Sequence, residues 1–178
     1  MSSLDHRPKG RTLALALLAW LPAALLAGCI QPVYGPLSEG GGKMADELQA
    51  IAVDPIKDRL GHYLSDELIF ALNGTGSQVT PKYHLIVTLR QSTGTPLLDT
   101  VTGYPTSSTV QVAADYRLEP VASGAPVIKG TASVAASYDR TSQRFADVRA
   151  ARDAEIRDAR SLAQVIRTQL VAALAERS

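Results

Sequence analysis

The sequence is short of the residues that most often carry chemistry. Its 178 residues include one cysteine, one tryptophan and three histidines, and 18 Lys+Arg nearly balance 17 Asp+Glu. Each shortage excludes something. A single thiol has no partner for an internal disulfide. His62 and His84 belong to no HExxH pattern, and two histidines without clustered carboxylates or thiolates do not suggest a metal site. No GxSxG element marks a nucleophile. The balanced charge supplies no global basic field for nucleic acid. At this length one domain is expected.

Long apolar runs are also scarce. The run from Leu13 to Ala27, LALALLAWLPAALLA, follows a basic stretch holding His6, Arg7, Lys9 and Arg11. It includes Pro22 and falls short of the roughly 20 apolar residues that a membrane span needs. A basic end, a short apolar core and small residues before a cut are the parts of a secretory signal. The end of the run, Leu26-Ala27-Gly28-Cys29, resembles a bacterial lipobox. That resemblance implies cleavage before Cys29, a diacylglycerol thioether on its sulfur and an acyl chain on the new amino terminus. A thiolate is the best nucleophile the chain can offer to a lipid donor. The alternative is a free thiol beside an ordinary cleavage site, which an oxidising compartment would attack. Two or more acyl chains anchor a protein stably where one does not. No cofactor is expected besides this covalent lipid. Ile30 stands where many inner-membrane lipoproteins carry Asp, so the same resemblance implies the periplasmic face of the outer membrane. Removal of residues 1–28 leaves 15 Lys+Arg, 16 Asp+Glu and no tryptophan, since Trp20 is lost.

Residues 29–47 hold Pro32, Gly35, Pro36 and Gly40-Gly41-Gly42 and read as a flexible tether. The domain is expected over 48–178. Gln49 to Ile56 reads as a first or edge strand, with Pro55 near its end. Asp58 is placed to cap a helix running to about Leu72, with Leu60, Leu64, Leu68 and Leu72 as its stripe and Asn73-Gly74 as its stop. Three stretches then alternate with period two: Tyr83 to Arg90, Thr109 to Leu118, and Ile128 to Tyr138, the last two joined by a turn over Glu119 to Pro126. Each has one buried and one wetter face. From about Gln143 to Ala175 a second helix is expected, roughly 50 Å long at 1.5 Å per residue. Its charged first half should project beyond the core. The predicted fold is α/β: a two-layer sandwich of a four-stranded mixed sheet with two helices on one face, in the order β-α-β-β-β-α.

These pieces together resemble the LPS-assembly lipoprotein LptE family in its alphaproteobacterial form. The resemblance is carried by Cys29 with Gln31-Pro32-Val33-Tyr34-Gly35, by Tyr83-His84-Leu85-Ile86-Val87, and by TASVAASYDRTSQRFADVRAARDAEIRDARSLAQVIRTQL from Thr131 to Leu170. It covers essentially all of the chain after the signal. One departure is Thr141-Ser142-Gln143-Arg144, where the family more usually has an aromatic or Pro-containing approach to Phe145. The resemblance implies a non-enzymatic protein that plugs an LptD-like outer-membrane β-barrel, assists its folding and helps deliver lipopolysaccharide to the outer leaflet. Two other classes remain open. One is a periplasmic lipoprotein that binds a lipid or envelope component without a barrel partner. The other is a structural envelope tether.

The candidate ligand-binding residues follow from the alternation. Arg90, Arg117 and Lys129 fall in the class of the open sheet face, with Lys82 at the start of a strand. Guanidinium and ammonium groups suit the phosphates and carboxylates of lipopolysaccharide. His62 and His84 read as solvated histidines, and Arg152-Asp153-Ala154-Glu155 as a solvated helix face or partner surface.

Overall fold

The computed structural model describes residues 41–74, 79–98, 100–101, 103 and 105–177. The signal at 1–28, the anchor Cys29 and the tether as far as residue 40 lie outside the described residues. The chain divides after Gly42 into two compact units, and nearly all the described residues belong to the second, Lys43–Ser178. Its elements are α1 (Gly41–Gln49), β1 (Ile51–Val53), α2 (Asp58–Asn73), β2 (Tyr83–Leu98), β3 (Pro105–Pro120), β4 (Ile128–Asp139) and α3 (Arg144–Ala175).

The four strands form one mixed sheet in the order β1-β2-β3-β4. β1 pairs parallel with β2, as a crossover through a helix requires, and the two following pairs are antiparallel. The predicted α/β sandwich is therefore the observed one. The stripe Leu60, Leu64, Leu68 and Leu72 of α2 is buried. So are Ala159, Leu162, Ala163, Ile166 and Leu170 of α3, against Leu85, Val112, Ala114 and Leu118 of the sheet. Fully burying a leucine or isoleucine side chain contributes about 1.5–3 kcal/mol, so these residues hold the layers together. Gly61 lets the first turn of α2 approach the preceding loop: a Cβ there would lie 2.7 Å from Ile56 Cγ2. Gly74 ends α2 at φ 60, its N–H donating to Phe70 O at 2.9 Å.

Three details differ from the sequence reading. Residues 41–47, read as part of a tether, are helical in α1, which seats Leu48 in the core and packs Met44 against it. Asp58 does not cap α2. The flanking residue is Lys57, which makes no side-chain cap bond, and Asp58 itself sits at φ 71 in the left-handed region. Finally, β2 and β3 run well past their alternating stretches, to Leu98 and from Pro105, with a register shift after Gly94. On the β2 side of this extension residues 91–95 are exposed, while Ser107 and Ser108 on the β3 side are buried.

Candidate functional site

All three helices leave one face of the sheet unpacked. The side chains on this open face come from the even positions of β2 and the odd positions of β3 and β4. They include Thr88, Gln111, Thr109, Thr131, Ser133 and Ser137. Thr109 and Ser137 hydroxyls bond across the strands at 2.8 Å. Within the face lies an open concavity of about 520 Å³, lined by Ile86, Thr88, Asp115, Arg117, Lys129 and Thr131 with Tyr116 and Gly130 beneath. Gly130 is required there because Tyr116 crosses under it: a Cβ would meet the Tyr116 ring and hydroxyl at 2.3–2.8 Å. The Tyr116 hydroxyl donates to Gln169 Oε1 of α3 at 2.8 Å, and its burial pushes its pKa up.

The structure separates the four predicted cations. Arg117 and Lys129 are cross-strand partners and both line the concavity. Arg117 also bonds Glu119 at 2.7 Å. Arg90 stands outside the concavity and pairs with Asp115 at 2.8 Å, while Lys82 pairs with Glu47 of α1 at 3.2 Å. Lys129 alone of the four has no carboxylate partner among the described residues. The four therefore do not make one convergent cationic cluster. The usable positive charge is local, at Lys129 with Arg117 beside it.

The histidines take ordinary positions. His62 is exposed on α2, and His84 Nδ1 lies 2.8 Å from Asp54 Oδ1 at the margin of the open face. Among the described residues no three His, Cys, Asp or Glu side chains group to hold a metal ion, and no helix is long and apolar enough to cross a membrane.

The sequence reading missed two buried acids. Glu155, read as part of a solvated face, is only 8% exposed. It accepts three bonds from the Arg59 guanidinium at 2.8–3.1 Å and one from Gln91 Nε2 at 3.3 Å, so one carboxylate joins α2, β2 and α3. Asp158, one turn later, is 1% exposed. Burial pushes its carboxyl above the ordinary range, with a backbone hydrogen bond at Ala136 and the Arg157 cation pulling the other way. Their spacing on the face of Ala154, Ala159 and Leu162 is the signal that could have located them. Beyond Glu155 toward the helix start no residue of α3 is buried except Ala154. Phe145 and Val148 are 86% and 55% exposed.

The domain is thus a helix-backed sheet with an open polar face. This architecture is one that bacterial lipoproteins use. The chain is similar to a protein of Caulobacter crescentus assigned as a lipoprotein, at 25% identity and TM-score 0.63, over 75% of this chain and 97% of that one. It also shares the fold of a minor lipoprotein of Acinetobacter baumannii, at 15% identity and TM-score 0.51, over 68% of this chain and 90% of that one. No family profile and no curated protein sequence matches the chain.

Proposed function

We propose that the chain is an outer-membrane lipoprotein of the LptE type, anchored through Cys29 at the periplasmic face. In this reading it seats in the lumen of a large LptD-like β-barrel, assists its assembly and helps deliver lipopolysaccharide. It performs no catalytic step. The observation that carries the reading is the open sheet face, whose small and hydroxylic side chains suit a wet barrel interior better than an apolar ligand. The likeness to the Caulobacter lipoprotein and the lipobox at Leu26–Cys29 support the envelope location.

The β2–β3 hairpin and the exposed start of α3 form the end of the domain away from the start of β2, and this is the end assigned here to the lumen. Lipopolysaccharide contact is assigned to Lys129 and Arg117, in the concavity, with Arg90 and Lys82 as flanking cations.

Tagged, acylated protein extracted from outer membranes in mild detergent tests the reading. A large heat-modifiable barrel should accompany it stoichiometrically. A clean monomer would favour the lipoprotein without a barrel partner. Reversing charge at Arg90 and Lys129 together should weaken lipopolysaccharide binding, and unchanged binding would remove the cationic patch from the account.

A further inference from the structure

The two long edges of the sheet are treated differently. Arg140 N–H donates to Thr106 O at 2.9 Å, so even residues of β4 turn their backbone groups toward β3 and odd residues turn theirs outward. Two outward-side carbonyls of β4, and the carbonyl of Val127 just before the strand, are taken by side chains of α3 and of the residues after it. Arg157 donates to Ser137 O at 3.0 Å, Gln169 to Thr131 O at 3.3 Å, and Arg177 to Val127 O. That edge is blunted against another strand.

The β2 edge has no such cover. Val121 N–H donates to Lys82 O, so even residues of β2 face β3 and odd residues face the β1 side. β1 has only three residues in register, Ile51 to Val53 against Tyr83 to Leu85, and Asp54 N–H then takes Leu85 O at 3.0 Å. From Val87 onward the outward N–H and C=O of Val87, Leu89, Gln91 and Thr93 have no partner among the described residues. After Gly94 the register shift ends the regular edge.

We propose that this edge, Val87 to Gly94, receives an extended segment of a partner polypeptide as an added strand. The inference rests on the barrel-partner reading and names the contact through which part of that partner engages. Its chemistry is a row of backbone acceptors and donors alternating at the spacing of one strand. The length identifies the occupant. A second copy pairing its own β2 antiparallel about the middle of this edge would drive its hairpin into the slot already filled by β1. A single extended segment of about seven residues at 3.3 Å each fits between β1 and the register shift. On the helix side it would meet the half-buried Leu89 and Ile56, and on the open side Thr88 and Ser92. The segment should therefore alternate apolar and polar residues.

The test is amide hydrogen exchange, read residue by residue, on the acylated chain alone and on the chain co-purified with its barrel. Alone, the amides of Leu89, Gln91 and Thr93 should exchange fast, while those of Thr88, Arg90 and Ser92 are held by β3. In the complex the odd amides should slow by at least tenfold. Thr93→Pro removes an outward N–H and spares the β2–β3 ladder, so the isolated variant should fold normally and lose that protection in the complex. Odd amides already protected in the isolated chain would mean that its own residues or a second copy fill the edge, and would overturn the proposal. A barrel complex whose odd amides still exchange fast would overturn strand addition and leave the plug reading standing. Failure to recover any barrel would overturn both.

Discussion

The two ends of this domain differ in what holds them. At the end where β2 begins, Leu64, Leu68, Leu85, Leu118, Ile166 and Leu170 are sealed between helices and sheet. At the hairpin end the strands continue with exposed residues at 91–95, and α3 continues past its last buried residue with Phe145 and Val148 in solvent. Glu155 and Asp158 lie at the boundary, where apolar packing gives way to paired and buried polar groups. The difference teaches that one end supplies stability while the other extends beyond the core, and under the proposed function that extension is the part available for contact. A strand pair and a bare helix start add little to the core and much to the reach.

Substitutions can break that contrast in order of effect. Leu68→Ala or Ile166→Ala should cost about 2–5 kcal/mol in chemical denaturation, because each leaves a cavity at a fully buried site. Gly130→Ala should cost about 1–3 kcal/mol by overpacking, since the added methyl must displace Tyr116 from its bond to Gln169. Near-wild-type stability there would show that the ring can move without loss. Glu155→Gln should cost about 1–3 kcal/mol, as it weakens the charge-assisted bonds from Arg59. Phe145→Ala should change stability by less than about 0.5 kcal/mol. A large loss at Phe145 would refute the division into a packed end and a reaching end.

Asp158 sharpens the boundary through pH. Its pKa is raised in the folded state, so the native protein binds this proton more tightly than the unfolded chain does. Asp158 therefore opposes folding above its folded pKa, and the penalty fades as the pH falls through that pKa toward the unfolded value. Asp158→Asn should be the more stable protein at neutral pH, with its advantage shrinking in acid. An advantage independent of pH between neutral and pH 4 would show that the carboxyl is not desolvated as described.

The packed end was legible in the sequence and the reaching end was not. Leucines every four residues in α2 and period-two alternation in three strands report burial directly: the four leucines and most inward strand positions are buried, while Tyr83, Leu89, Val134 and Tyr138 are half-buried. The extension of β2 through Gln91, Ser92 and Thr93 has polar residues on both faces, so its order comes from pairing with β3 and leaves no hydropathic trace. α1 was hidden by the glycine-rich run at its start, and the weak helix propensity of Gly41 and Gly42 is overruled by the burial of Leu48. For the site, the alternation placed Arg90, Arg117 and Lys129 on one face. It could not reveal that Asp115 and Glu119 already neutralise two of them, because those pairs depend on side-chain geometry within the folded sheet.

Photocrosslinking in cells tests the central claim most directly. A crosslinking residue replacing Phe145, at the reaching end, should yield a covalent adduct with a large outer-membrane barrel. The same residue replacing Phe70, exposed at the packed end, should yield little or none. Adducts from Phe70 alone, or from neither position in a protein that is folded and acylated, would contradict the account.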